Sequence, residues 1–169
     1  VWMVRDIFRK LFEKYGKKIL FVQMGDIAEL GGVFTPEEFE YHRFIDITVY
    51  PLKFAALNLD IGICPLVDDE FNRCKSALKW SEYSSMKVPS VCSDLPSYNC
   101  VEEGKTGFLA KTNEEFVEKI SRLVDDEVLR REIAENAYQK NLADYNLEKN
   151  VVNLVKFYED TYSRVGEYR

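Results

Sequence analysis

No apolar run in this chain approaches the ~20 residues that a helix needs to cross a bilayer, so nothing in the sequence reads as a membrane span. Surplus positive charge is missing as well. Against 29 Asp and Glu stand 23 Lys and Arg, a net charge of -6. A general nucleic-acid binder needs the opposite balance to neutralise phosphates. The four cysteines, Cys64, Cys74, Cys92 and Cys100, form no C-x-x-C pair, which argues against structural zinc. Cys64 and Cys92 fall in apolar, strand-like runs where a free thiol acts as a small hydrophobe, so a reduced, cytoplasmic setting is expected. Neither phosphate-loop signature, G-x-x-x-x-G-K-[ST] or G-x-G-x-x-G, occurs. Histidine appears once, as His42. The start carries no secretory signal, and Val1 as first residue suggests a fragment or a trimmed chain.

What is present fits one soluble domain. At 169 residues and 46% apolar content, the chain is long enough to bury a core. Residues 1–15 put Val4, Ile7, Leu11 and Tyr15 on one helical face, with Gly16 as a stop. "KILFVQMG" (18–25) and "LDIGICPL" (59–66) are near-continuous apolar runs, the pattern of buried parallel strands. Between them, residues 26–39 suggest a loop with a short helix at "TPEE", residues 40–51 a short strand and turn, and residues 50–58 a small helix. Helix 76–86, strand 88–92, a short helix near 96–103 and strand 106–110 are expected next. "TNEE" (112–115) is a capping box for helix 113–124, Asp125 or Asp126 opens another helix, and Asn146 opens the last. Strands alternating with helices predict a doubly wound, Rossmann-like α/β domain, its parallel sheet covered on both faces and followed by a helical tail.

The most informative stretch is "NRCKSALKWSEYSSMKVPSV" (72–91). It follows a long, polar loop after the second strand, and ligands in open α/β sheets bind beyond the carboxyl ends of strands. Lys75 and Ser76 are expected at the start of the helix, where unpaired N–H groups favour an anion. Lys79 follows Lys75 at i, i+4, and Glu82 follows Lys79 at i, i+3. Spacing alone leaves two readings open, an exposed charge stripe or a seat for a diphosphate with a carboxylate beside it.

From "LDIGICPL" through this stretch to "VEEGKTGFLA", the sequence resembles the C-terminal, donor-binding domain of a GT-B glycosyltransferase, and is most similar to the large retaining family 4. The resemblance rests on Asp60, Pro65, Glu82, Pro89, Val91, Ser93, Asp94, Val101, Gly104, Gly107 and Leu109. It runs closely over some fifty residues, with a compatible order of elements over the whole chain.

That resemblance implies a nucleotide-sugar donor as substrate, with no separate cofactor and no metal. Lys75, Ser76 and Lys79 would take the diphosphate and Glu82 the ribose hydroxyls. Cys74, Asn72 and His42 are candidates for sugar or base contacts. Cys74 stands where the family's E-x7-E motif has its first acid, and a thiol cannot accept hydrogen bonds as a carboxylate does. Asp68, Asp69 and Glu70 look like a metal-binding run but suit a solvated loop better. The resemblance also places a first strand before Val1 and an acceptor-binding domain in the same enzyme, through which the enzyme could meet a membrane surface. Without that domain the chain is expected to be inactive on its own. Two alternatives stay open: a degenerate domain kept as an interaction module, or a fragment of a sugar-nucleotide epimerase.

Overall fold

The computed structural model describes residues 2–25 and 34–166. Helix α1 (Trp2–Tyr15) turns Ile7, Phe8 and Leu11 inward, and Gly16, at φ +54°, ends it. Strand β1 (Phe21–Met24) then pairs in parallel with β2 (Phe39–His42), Phe21 opposite Phe39 and Met24 opposite His42. Much of the loop expected before β2, residues 26–33, lies outside the described residues. Its "TPEE" portion makes a turn, not a helix. Thr35 donates from its N–H and hydroxyl to Glu38, and its carbonyl accepts from Glu38 and Phe39, which sends the chain at once into β2.

A second parallel sheet has the order β3-β4-β5, formed by Gly62–Cys64, Ser90–Ser93 and Phe108–Ala110. Central β4 is buried along its whole length, as expected of a strand paired on both sides and covered on both faces. Strand β3 is shorter than the apolar run predicted, because Pro65 has no N–H to continue the ladder. Helices α2 (Tyr50–Ala56), α3 (Glu70–Arg73) and α4 (Leu78–Ser85) surround β3 in sequence. The segment near 96–103 is only a 3-10 turn, Pro96–Tyr98.

Helices α5 (Asn113–Asp125), α6 (Glu127–Asp144) and α7 (Leu147–Gly166) complete the chain. Their expected caps are in place. Thr112, Asp126 and Asn146 each accept from the backbone N–H three residues on. Glu115 reaches back to the N–H of Lys111, one residue before the cap.

Two apolar layers sandwich the sheet. One joins Ile7, Phe8 and Leu11 of α1 to Phe116, Ile120 and Leu123 of α5, over Val91 and Phe108. The other packs Trp80 of α4 and Ala137 of α6 against Cys64, Cys92 and Tyr98. The architecture is therefore the expected Rossmann-like α/β sandwich with a helical C-terminal region. No helix among the described residues is long and apolar enough to cross a membrane.

Candidate functional site

Beyond the carboxyl end of β3, the chain is pinned before it turns into α3. The Ser93 hydroxyl, at the end of β4, accepts from the Leu66 N–H at 2.7 Å and donates to the Leu66 carbonyl at 3.0 Å. Asp69 caps α3, accepting from the N–H of Asn72 at 2.7 Å and from its side-chain amide at 2.8 Å. Asp68 grips Arg73, with Nη2 to Oδ2 at 2.9 Å, and the guanidinium holds its carboxyl below the ordinary range. These acids thus shape the loop. Among the described residues, no group of three or more His, Cys, Asp or Glu is placed to hold a metal ion. A surface cleft lined by Asp68, Asp69, Glu70, Arg73 and the exposed Cys74 opens here.

Lys75 and Ser76 do not open α4, as the spacing suggested. The Lys75 N–H turns back to the Asn72 carbonyl at 3.3 Å, closing the end of α3, and the helix begins only at Leu78. Its N-cap is Ala77, whose methyl offers no hydrogen bond, so no side chain caps the first turn. Both Lys75 and Ser76 are exposed on the approach to that turn, and the Lys75 ammonium lies 4.8 Å over the Phe71 ring.

Helix α4 is fixed firmly to the body. Trp80 is fully buried and donates from Nε1 to the Thr106 carbonyl at 2.9 Å. Truncating such a residue costs about 3–5 kcal/mol, which measures the anchorage. Beside Trp80, Gly107 makes room for Val101 and the Ser90 carbonyl, which a Cβ there would approach to 2.9 and 3.0 Å. On the neighbouring face, Ser81 donates to Asn141 of α6 at 2.7 Å.

With the helix held, Lys79 and Glu82 meet at 2.8 Å, and Tyr50 at the start of α2 joins them. The Tyr50 hydroxyl donates to Glu82 Oε2 at 3.1 Å and accepts from Lys79 at 3.3 Å. Glu82 is 23% exposed and Lys79 57%, so the ion pair contributes at most about 1 kcal/mol to stability. Its consequence is geometric. Burial works to lower the pKa of Lys79, but the Glu82 carboxylate and Tyr50 more than offset it and leave the ammonium raised.

The remaining candidates lie apart from this trio. Asn72 is buried, its side chain on Asp69 and its carbonyl accepting from the Ser97 hydroxyl. His42 is on β2, in the other sheet, with Nε2 2.6 Å from Glu40. Tyr50 was not legible as a site residue: its partners are 29 and 32 residues away, and "VYP" reads only as a turn leading into a helix.

The glycosyl transferase-like family matches residues 9–156. The chain belongs to that family. No curated protein sequence matches it. Among solved structures, the C-terminal domain of the group 1 glycosyl transferase LpcC from Francisella tularensis has a TM-score of 0.67 at 19% identity, over 85% of this chain and 78% of that one. Alr3699/HepE from Anabaena, in complex with UDP and glucose, has a TM-score of 0.72 at 16% identity, over 96% of this chain and 45% of that one. Sucrose-phosphate synthase from Thermosynechococcus elongatus gives 0.70 at 15% identity, over 95% and 43%. The chain spans less than half the length of the last two. This member of the glycosyl transferase-like family thus has the fold of a GT-B C-terminal domain.

Proposed function

We propose that this chain is the nucleotide-sugar-binding half of a retaining, family 4-like glycosyltransferase that makes polysaccharide or glycoconjugate in the cytoplasm. The observation that carries this reading is Glu82, half-buried and held by Lys79 and Tyr50 on a helix whose first turn has no side-chain cap. It stands after β3 and its loop, in the region where α/β sheets bind ligands. HepE was crystallised with UDP, which supports a nucleoside diphosphate as the ligand class.

In this reading the diphosphate lies against the first turn of α4, met by Lys75, Ser76, Lys79 and free backbone N–H groups. Glu82 accepts from the ribose hydroxyls. Cys74 borders the cleft that would receive the sugar, with Asn72 behind it, and His42 faces the base. The donor is the substrate, and no separate cofactor is invoked. As the glycosidic bond breaks, negative charge gathers on the departing diphosphate, and donors already oriented toward it stabilise the transition state. The partner is an acceptor-binding half of the same enzyme, which completes the cleft and could touch a membrane surface. Without it, this chain binds donor but transfers nothing.

Calorimetric titration with UDP and GDP tests this. Saturable binding is expected, weakened about tenfold or more in Glu82→Ala, the usual loss for a hydrogen bond to a charged group. Folded protein that binds neither nucleotide at millimolar concentration would sink the reading and favour an interaction module.

A further inference from the structure

Tyr50 touches both charged members of the cluster, although it is far from them in sequence. Among the described residues, the hydrogen bonds on the Glu82 carboxylate converge on one oxygen, Oε2, which accepts from Lys79 at 2.8 Å and Tyr50 at 3.1 Å. Oε1 receives none from the described residues. We propose that Tyr50 is a positioning residue that locks Glu82 with Oε1 turned toward the ribose hydroxyls of the donor; this rests on the donor-site reading above.

The physical case is one of rotors. A glutamate has three side-chain torsions, and a ligand that must freeze them loses affinity. Tyrosine has two, and here they are already fixed. The Tyr50 ring stacks on buried Phe54, with centroids 5.6 Å apart and planes 10° from parallel. Phe54 in turn meets Tyr83 at 5.4 Å, and Tyr83 follows Glu82 in the chain and packs over Gly62. An aromatic relay therefore ties the start of α2 to the carboxylate-bearing turn of α4. Burial pushes the Tyr50 phenol up, so it stays protonated and remains a donor at neutral pH. Lys79 has three N–H groups. Two are engaged by Glu82 and Tyr50, leaving one for a phosphate oxygen.

The test compares Tyr50→Phe, which keeps the ring and removes the hydroxyl, with the unaltered chain. Each is titrated with the preferred nucleotide of UDP and GDP and with its 2′-deoxy form. The unaltered chain is expected to prefer the ribonucleotide by about tenfold, since its carboxylate would otherwise lose a charged hydrogen bond. In Tyr50→Phe that preference should fall to about two- or threefold, with little change in melting temperature. Phe116→Leu, in the apolar layer shared with α1 and away from the relay, is the control: it should lower the melting temperature while keeping the full preference. If Tyr50→Phe keeps the full preference, the inference falls and the donor site stands. Equal affinity of the unaltered chain for ribo- and deoxy forms removes the ribose role and the inference together. Binding of neither nucleotide overturns the donor site itself.

Discussion

Gly62 shows what one missing methyl does for this site. A Cβ there would lie 2.5–2.7 Å from three ring atoms of Tyr83, a distance no packed side chain tolerates. Tyr83 is the neighbour of Glu82 and belongs to the aromatic relay, so the clash would push on the carboxylate as well as on β3. Forcing extra volume into a packed site costs about 1–3 kcal/mol. Gly62→Ala is therefore expected to lower urea-unfolding stability by about that amount, and Gly62→Ala with Tyr83→Leu should recover part of it. A single variant as stable as the parent would mean the ring can swing clear. None of this was legible in "LDIGIC", which announces a buried strand but not the ring above it. Glu82 and Lys79, by contrast, could be paired from their spacing, because an i, i+3 contact is local.

Locality likewise explains which elements were readable. Thr112, one of Asp125 and Asp126, and Asn146 were expected to open helices, and Thr112, Asp126 and Asn146 act as the caps, since a cap and its N–H lie three residues apart. The start of α4 was misplaced by two residues because α3, capped by Asp69, uses up the chain as far as Cys74. Helix α7 carries an apolar stripe, Leu147, Val151, Val155, Tyr158 and Tyr162, and the structure leaves it outside the core. Leu147 is 78% exposed and Tyr162 84%. Asn150 Nδ2 donates to the Asp144 carbonyl at 2.8 Å, which ties the first turn of α7 to the end of α6. A helix whose described side chains are all exposed contributes little to the body's stability. Removing residues 147–169 is expected to change the unfolding free energy by less than about 0.5 kcal/mol, the range of surface changes. A loss above about 2 kcal/mol would show that α7 packs on the domain in solution.

At the scale of the molecule, charge poses a sharper question than packing. With a net charge of -6, the folded chain repels itself, and protonating acids should relieve that as pH falls. Opposing this are local pairs that tie separate elements together. Lys10 of α1 holds Glu114 of α5 at 2.5 Å, Lys87 after α4 holds Glu135 of α6 at 2.7 Å, and Lys105 and Lys140 share Glu102. Hydrogen bonds to these lysines hold Glu114, Glu135 and Glu102 below the ordinary carboxylate range, as Arg73 does for Asp68 and Thr48 for Asp46. A carboxylate lowered in the folded state binds fewer protons there than when unfolded. Its contribution is therefore present above the ordinary range, near about pH 4, and is lost as pH falls through the folded value. Five such groups act in the same direction, whereas the net charge is spread over the surface and screened beyond about 8–10 Å. The pairs should win. Melting temperature is expected to stay level from pH 7 to about 5 and then fall steadily toward pH 3, with a shallower fall in 1 M salt because the pairs are exposed. A melting temperature that rises as pH drops through this range would make self-repulsion the dominant charge effect in the domain.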